Sequence, residues 1–578
     1  MTSLFGNTSV DNTAEVRRIA SLPRRVWSEE EGIRLAASLT RELKKSRGTM
    51  ALRPVQAIAL YEAMENGGGL YPIRVGGGKS LLSLLLGLIL EARWPILILP
   101  AALIEKTVGD RRRLSEHWHL PTNLEMISYE MLGRVQSSKY FEYRSPDLII
   151  ADEAHRAKNR RAGVTRRLIR YMREAPTTKF CGMSGTIMKQ SIHDFAHILR
   201  WALKDKAPIP HGDEEVSAWA EAIDEKVNPL ARRRPGALLT LGPRPPGVDD
   251  LTAARRIFQS RLLETPGVVA SSRTDGVTCS LRVSALEYQP APVTEQHFRH
   301  VRGSWSTPDG WNFSEAIELR RYLRELATGF HGVWDPRPPS EWRAARKAWA
   351  SFVRETLGHS RSLDTELQVA NAVDAGHLHD EGVLAAWREE KPTFTIQPKP
   401  LWHDRAALLA AEAWMKREKG IVWTESVFFA KSLAQMTGAA YYGAHGQTEA
   451  GESITHVKPG RAIIASVAAN STGQNLQMFS SNLIISCPSG PATMEQLIGR
   501  THRDGQEADE VSVDILLGCV EHYEAFTRAL DGAKAAADVL GHDQKLLLAD
   551  VTMPDISGRR GPLWGDDGVP CKCNICLP

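Results

Sequence analysis

The sequence of 578 residues lacks the features that mark secreted, membrane-spanning and disulfide-stabilised proteins. Its seven cysteines are too few for a disulfide framework in a chain of this length, as suits a reducing compartment. The longest apolar run, residues 81–90, is shorter than the about 20 residues that a membrane-spanning helix needs. The first residues contain no apolar signal-peptide core. We therefore expect a cytoplasmic protein.

A strong excess of one charge is also missing. The net charge is only +4, which is too small to indicate a nucleic-acid partner by itself. Hydrophobic residues make up 42% and charged residues 24%, a balance typical of folded proteins rather than disordered ones. Because the chain is too long for one ordinary hydrophobic core, we expect several domains.

Short apolar runs alternate with helical stretches between about residues 48 and 200. The predicted strands are YPIRV, WPILILP, LEMISY, PDLIIADEAH and KFCGMSGT. Repetition of strand, loop and helix predicts a parallel sheet covered by helices on both faces. Ligands of such sheets bind at the carboxyl ends of the strands. The glycines of residues 76–78 and the acidic pair of residues 152–153 both fall there.

Composition divides the rest of the chain. Residues 16–45 predict one or two amphipathic helices, and residues 205–250 are rich in proline and glycine and predict loop or linker. A second α/β unit is expected from about residue 400, with strands predicted in GIVWTES, RAIIASVAAN and SNLIISCP. The tryptophans at 342 and 349 share a helical stripe that predicts either core packing or base stacking. The predicted segments are an N-terminal helical extension at 1–47, a first α/β domain at 48–250, a mostly helical insertion at 251–400, a second α/β domain at 401–545 and a C-terminal tail at 546–578.

The stretch VGGGKS, residues 75–80, favours phosphate binding. Backbone N–H groups approach a triphosphate closely where side chains are absent, and the following helix directs its positive end at the anion. Lys79 would reach the β and γ phosphates, and Ser80 would hold Mg²⁺. The residues expected to bind the nucleotide here are Gly76, Gly77, Gly78, Lys79 and Ser80. Because Ile73 stands where the full phosphate-loop pattern has glycine, the stretch alone also fits a simple turn before a core helix.

A second acidic motif ends an apolar run in PDLIIADEAH, residues 146–155. A strand end would direct Asp152 toward a Mg²⁺ that Ser80 holds, and Glu153 would deprotonate a water for attack on the γ-phosphate. The alternative is a solvated acidic helix start, because Asp and Glu favour helix N-termini. The order of the two motifs on successive α/β units favours the nucleotide site.

The motifs of the first half resemble those of superfamily 2 helicases and translocases. DEAHRAKN, at 152–159, is similar to the second motif of the Swi/Snf-type branch. LRPVQ, at 52–56, resembles the first motif, which implies an adenine contact for Gln56 and a nucleotide-binding role for Arg53. ILILPAALIEK and ISYEML resemble motifs Ia and Ib, and the former implies a nucleic-acid role for Pro100.

GMSGTIMKQSIHDF resembles motif III of that family, which implies that Ser184 and Thr186 bind nucleic acid or couple its binding to ATP hydrolysis. In the second half, GIVWTES resembles motif IV and ANSTGQNLQ resembles motif V. MEQLIGRTHRDGQ, at 494–506, resembles motif VI. The resemblance to motif V implies phosphate-backbone contacts by Ser471, Thr472 and Gly473.

Motif VI has a physical interpretation of its own. Gln496, Arg500 and Arg503 are spaced at i, i+4 and i+7, which predicts one face of a helix. Two guanidinium groups on that face would offset the charge that develops on a γ-phosphoryl group during hydrolysis. A basic solvated helix face is the alternative.

Two further patterns are weaker. The basic residues between 156 and 174, including Arg166, Arg170 and Arg173, predict either a phosphate track or an ordinary solvated face. Cys571, Cys573 and Cys576 form CxCxxC near the end of the sequence. Zinc normally takes four ligands, so a metal site there would need a ligand from elsewhere.

The resemblance implies an α/β protein with two tandem RecA-like lobes and a mostly helical insertion between them. It implies an ATP- and Mg²⁺-dependent motor that moves along DNA, with duplex favoured and a single strand as the alternative substrate. The compact build, without obvious reader domains, fits a bacterial or phage source. A strand-separating DNA or RNA helicase is the second hypothesis. A nucleic-acid-binding scaffold without hydrolysis is an alternative of another class, which Glu153 and the two arginines disfavour.

Overall fold

The structure, a computed structural model, describes most of the chain as two compact units. The described residues are 8–73, 77–184, 191–224, 227, 232–271, 279–307, 313, 316–360, 363, 365–395, 397–458, 460–470, 475–503, 505–540 and 544–554. The first unit comprises residues 1–276, 350–381 and 532–544, and the second comprises residues 277–349, 382–531 and 545–578.

The first unit contains a parallel five-stranded sheet. Its strands are β1 (Gly69–Tyr71), β2 (Pro95–Leu99), β3 (Glu125–Ser128), β4 (Leu148–Asp152) and β5 (Lys179–Met183). They lie in the order β1-β5-β4-β2-β3, and every pair is parallel. The predicted strands β2 to β5 are confirmed. The prediction for YPIRV is wrong in position, because β1 already ends at Tyr71.

Helices flank this sheet and extend beyond the predicted domain boundaries. The helices in the first 263 residues are α1 (Ala14–Ser21), α2 (Glu29–Leu43), α3 (Pro54–Asn66), α4 (Lys79–Ile89), α5 (Ile104–Leu114), α6 (Tyr129–Leu132), α7 (Tyr140–Arg144), α8 (Gly163–Glu174), α9 (Ala196–Leu203), α10 (Asp213–Ile223) and α11 (Asp250–Leu263). The two amphipathic helices expected in residues 16–45 correspond to α1 and α2. They belong to the first unit rather than to a separate extension at 1–47.

The loop predicted at residues 205–250 is partly helical, which corrects that interpretation. Helix α10 forms there and buries Trp219, which is 1% exposed. Trp219 contacts Phe258 of α11 edge-to-face, with ring centroids 5.8 Å apart. Helix α10 itself contains neither proline nor glycine, and the first unit continues past residue 250 to Gly276.

The second unit contains a parallel seven-stranded sheet. Its strands are β6 (Ser280–Glu287), β9 (Ile421–Thr424), β10 (Tyr441–Tyr442), β11 (Ile463–Ser466), β12 (Ser481–Ile484), β13 (Glu510–Leu517) and β14 (Asp550–Thr552). Their order is β10-β11-β9-β12-β13-β6-β14. A separate antiparallel pair joins β7 (Phe330–Trp334) to β8 (Pro398–Trp402). The strands predicted in GIVWTES, RAIIASVAAN and SNLIISCP are confirmed as β9, β11 and β12.

The remaining helices follow β6 in the chain. They are α12 (Pro292–Ser304), α13 (Ala316–Ala327), α14 (Ser340–His359), α15 (Glu366–Asp374), α16 (Val383–Glu390), α17 (Ala406–Arg417), α18 (Val427–Thr437), α19 (Val467–Asn470), α20 (Pro491–Thr501), α21 (Val520–Leu540) and α22 (Lys545–Leu548). Within the described part of the chain, no helix is both long and apolar enough to cross a lipid bilayer.

Two predicted boundaries of the second unit are wrong. The segment 251–400 is not simply an insertion, because β6 pairs along its whole length with β13 inside the second sheet. The segment 546–578 is not only a tail, because β14 pairs with β6.

The stripe of Trp342 and Trp349 belongs to the core: each side chain is 3% exposed, and Trp342 contacts Trp387 edge-to-face, with ring centroids 5.5 Å apart.

A buried carboxylate fixes α3, the helix that carries Gln56. Glu62 is 1% exposed. Its Oε1 accepts hydrogen bonds from Arg25 at 3.1 Å and from the Trp27 indole at 2.8 Å. Its Oε2 accepts from the Asn66 amide at 2.9 Å and the Gly267 backbone N–H at 2.8 Å. One side chain therefore ties the N-terminal segment and the residues near 267 to α3.

Replacing this carboxylate should destabilise the first unit. In Glu62→Ala, buried donors lose their acceptor, so we expect the free energy of unfolding to fall by about 3 kcal/mol. The control is Glu65→Ala on the same helix, where the side chain is exposed and the change should stay within about 0.5 kcal/mol. Urea unfolding followed by circular dichroism measures both variants. Equal losses in the two would contradict the anchoring role of Glu62.

Candidate active site

The candidate site of the first unit lies at the carboxyl edge of its parallel sheet. There the loop after β1 enters α4, and β4 ends in Asp152 and Glu153. Gly77, Gly78, Lys79 and Ser80 are described, whereas Gly76 lies outside the described residues. Helix α4 starts at Lys79 because Gly78, its N-cap, has a left-handed backbone with φ +79°.

Gln56 fills the space beside Gly78. The amide Nε2 of Gln56 donates to the Gly78 carbonyl at 2.9 Å. A Cβ atom at position 78 would lie 2.2 Å from that same Nε2, so only glycine fits both this close approach and the positive φ. The Gln56 Oε1 accepts the Arg53 backbone N–H at 2.8 Å. The structure thus brings Gln56, together with Arg53 three residues before it, against Gly78, which is 22 residues further along the chain.

The departure from the phosphate-loop pattern at Ile73 has a packing explanation. Ile73 is fully buried in the same apolar cluster as the leucines of α4, so this position serves the core rather than the loop. The Ile73 carbonyl accepts a hydrogen bond from the Lys79 ammonium at 2.8 Å. The lysine side chain therefore folds back over the loop. Ser80 stands in the first turn of α4 and is half-buried.

Glu153 adopts a backbone conformation that is uncommon for its residue type. The β4 residues Leu148–Ala151 are fully buried, and the chain turns sharply after them because Glu153 has φ +53°. Such left-handed residues are rare outside glycine and cluster at functional sites. Glu153 is 7% exposed, so the alternative of a solvated acidic helix start is wrong for this residue.

A buried polar cluster links Glu153 to the end of β5. His155 Nδ1 lies 2.8 Å from the Ser184 hydroxyl and 3.3 Å from Glu153 Oε2. The Ser184 hydroxyl lies 3.5 Å from that same carboxylate oxygen. Sequence reasoning assigned no part to His155. The register of β4 and β5 explains the contact, since Asp152 pairs with Met183 and the two strands end together.

The pKa of Asp152 is shifted by its surroundings. Burial, followed by the neighbouring negative charge of Glu153, raises the pKa of Asp152 to about 6, against the opposing effects of Lys79 and Lys106. Sequence reasoning missed Lys106, which lies on α5 after the neighbouring strand β2. Two carboxylates held this closely favour a positive ligand or a proton between them.

The oxygen donors fit Mg²⁺ that arrives with a phosphate ligand. Mg²⁺ is commonly held by one or two protein oxygens together with substrate phosphates and waters. Ser80 offers a hydroxyl and Asp152 a carboxylate. Among the described residues, no group of three or more His, Cys, Asp and Glu side chains could hold a metal ion, so the chemistry of this donor set does not favour an all-protein metal centre.

The second unit carries the residues of the sixth motif on and after α20. Gln496 and Arg500 are buried, at 7% and 3% exposure, and the Arg500 Nε donates to the Gln496 carbonyl at 3.0 Å. The prediction that Arg503 shares this helix face is wrong. Helix α20 ends at Thr501, and Arg503 donates instead to the Asn475 side chain at 2.5 Å.

The structure describes only some of the residues predicted to bind nucleic acid or metal. Pro100 follows β2 directly and caps a short 3₁₀ turn. Thr186, the predicted phosphate contacts Ser471, Thr472 and Gly473, and the three cysteines at 571, 573 and 576 lie outside the described residues. On the basic helix α8, the Arg166 guanidinium donates to the Ser360 carbonyl, and Arg173 stays exposed.

Comparison with known proteins adds no family assignment. The chain matches no protein-family model and no curated sequence. The functional argument therefore depends on the residues and their geometry.

The acidic pair predicts a pH dependence of stability. Because the folded state raises the pKa of Asp152 from 3.8 to about 6, it binds more protons than the unfolded chain in that window, and stability falls as the pH rises through it. In Asp152→Asn the side chain cannot ionise, so this fall in stability with rising pH is removed. The free energy of unfolding of the variant relative to wild type should be greater at pH 8 than at pH 4, by on the order of 1 to 3 kcal/mol.

Urea unfolding of both proteins at the two pH values measures this difference. If the variant differs from wild type by the same amount at pH 4 and at pH 8, the ionised Asp152 carboxylate carries no such cost.

Proposed function

We propose that the protein is an ATP-dependent DNA translocase of the superfamily 2 type, built on two RecA-like lobes and closest to the Swi/Snf-type branch. The observation that carries the proposal is the meeting, at one sheet edge, of a glycine loop tied to Gln56 and an acidic pair at the end of β4, in which Glu153 is buried and Asp152 is half-buried. Each half alone has an ordinary structural explanation. Their combination is what a nucleoside triphosphate with Mg²⁺ requires.

ATP would bind through the loop and α4. The backbone N–H groups after Gly77 and the N-terminal end of α4 favour phosphate, and Lys79 would exchange the Ile73 carbonyl for phosphate oxygens. The Gln56 amide, now bonded to the loop, would face the adenine. Ser80 and Asp152 would hold Mg²⁺, which when bound neutralises charge on the β and γ phosphates.

Hydrolysis would use Glu153 as the general base. A water oxygen attacks the γ-phosphorus, the bond from that phosphorus to the bridging oxygen of ADP breaks, and Glu153 takes the proton of the water. The Glu153 carboxylate is oriented by the Ser184 hydroxyl, which donates to it at 3.5 Å, and by His155 Nδ1, which lies 3.3 Å away. The resemblance to motif VI implies that Arg500 and Arg503 stabilise the charge that develops on the γ-phosphoryl group and that Gln496 assists them.

DNA is the proposed track, with duplex favoured over a single strand. The support is the resemblance of the motifs together with the presence of Pro100 and Ser184 beside the ends of β2 and β5. Strand separation by the same residues is the second candidate within this class. A scaffold that binds without hydrolysis is disfavoured, because it has no use for a buried base such as Glu153.

Glu153→Gln separates motor from scaffold. The glutamine keeps the shape of the side chain but cannot take a proton, so ATP should still bind while phosphate release falls by about 10² to 10⁴-fold. Binding is measured with a fluorescent ATP analogue and turnover by phosphate release, each with and without duplex DNA. The control is Glu174→Gln, at an exposed carboxylate of the same unit, which should leave both unchanged. Turnover within about twofold of wild type in Glu153→Gln would exclude it as the base.

A further inference from the structure

Three loops meet at the short helix α6, at the carboxyl edge of the first sheet. Strands β4, β2 and β3 are neighbours in that order. The turn after β2, the helix α6 after β3 and the segment after β4 therefore emerge side by side. Two of them belong to the proposed site: the segment after β4 holds Glu153, and the turn after β2 holds Pro100.

The carboxylate of Glu130, the second residue of α6, bridges the other two loops. Its Oε2 accepts the backbone N–H of Ala101, in the turn after β2, at 2.9 Å. Its Oε1 accepts from the guanidinium of Arg156, three residues after Glu153, at 2.8 Å. Each carboxylate oxygen thus serves a different loop, so the position of the turn after β2 is linked to the position of the acidic segment.

The preceding residue joins α6 to the same segment. The hydroxyl of Tyr129 donates to the carbonyl of Asp152 at 2.9 Å, and Tyr129 is 4% exposed. The side chain of Ser128 caps α6 by accepting the Met131 N–H at 3.0 Å. Helix α6 is therefore fixed to the end of β4 by Tyr129, and Glu130 extends this connection outward to Ala101.

The bridge contributes little to stability. The side chains of Glu130 and Arg156 are 46% and 34% exposed, and an ion pair of this exposure is worth about 0 to 1 kcal/mol. A variant at Glu130 should therefore fold normally. The bridge can link the position of the turn after β2 to that of the segment after β4, because a displacement of one must move the other or break the contact.

We propose that Glu130 is a positioning residue that couples binding of a nucleic-acid phosphate backbone at the turn after β2 to ATP hydrolysis at the end of β4. This inference rests on the proposed function. Glu130 touches neither nucleotide nor nucleic acid in this role. It acts through Ala101 on one side and Arg156 on the other, so its loss should reduce the effect of DNA on turnover rather than turnover itself.

Glu130→Gln in the full chain tests this role. The amide oxygen can still accept the Ala101 N–H, but the NH₂ group then faces the Arg156 guanidinium, donor against donor, and the bridge breaks on one side. Basal ATPase activity without DNA should stay within about twofold of wild type. Stimulation by duplex DNA should fall about tenfold, a typical size for coupling between two sites. Anisotropy of labelled DNA checks that affinity changes by less than about threefold.

Glu125→Gln is the matched control. Glu125 stands at the opposite end of β3, pairs with Arg144 at 3.1 Å and is similarly exposed at 35%. Its variant should keep full stimulation by DNA. Arg156→Gln should reproduce the defect of Glu130→Gln, and the double variant should be no worse than either single one, because all three break the same contact.

The outcomes separate the inference from the function on which it rests. Absence of ATPase activity in the wild type, with and without DNA, overturns the proposed function and the inference with it. A wild type stimulated by DNA together with an equally stimulated Glu130→Gln variant overturns the inference alone. A variant whose basal and stimulated rates fall by the same factor also overturns it, because that pattern reports a structural defect rather than coupling.

Discussion

The candidate site depends on one constraint: β4 is an interior strand of a parallel sheet. Its register with β2 pairs Ala151 with Ile98, and its register with β5 pairs Asp152 with Met183. In a parallel sheet the carboxyl ends of neighbouring strands lie at one edge, so these registers fix which loops can meet. The contacts of Glu153 with Ser184, and of Glu130 with Ala101 and Arg156, follow from this arrangement.

The second physical theme is the charge gathered at the end of β4 and the start of α4. Burial raises the pKa of Asp152 while Glu153 adds a second carboxylate beside it. The Lys79 ammonium, whose charge opposes the rise in the pKa of Asp152, donates to the neutral Ile73 carbonyl, a weaker partner than a phosphate oxygen. Nucleotide and Mg²⁺ would supply opposite charges to both groups. The same groups that cost stability in the free protein would then favour ligand binding.

Much of this arrangement could be predicted from local patterns, and the rest depended on distant contacts. Continuous apolar runs identified β2, β4, β5, β9, β11 and β12. Strands β6 and β13 were not predicted, although SLRVSALE and EVSVDILL alternate polar with apolar residues, which is the pattern of a half-buried strand. Arg503 was assigned to a helix by spacing alone, but the chain leaves the helical conformation at His502, with ψ +85°. The residues of the bridge at Glu130 lie in the segments that resemble motifs Ia, Ib and II, but their contacts could be predicted only once the strand order was known.

The central claim is that the glycine loop binds the phosphates of ATP for hydrolysis that DNA stimulates. The most direct measurement is steady-state phosphate release from ATP and Mg²⁺, with and without duplex DNA, by the wild type and by Lys79→Ala. The account predicts that the wild type hydrolyses ATP and that its rate rises when DNA is added. The Lys79→Ala variant should fold normally but stay at the background rate in both conditions, because it lacks the ammonium that would contact the β and γ phosphates. Hydrolysis by Lys79→Ala at a rate near that of the wild type would contradict the claim.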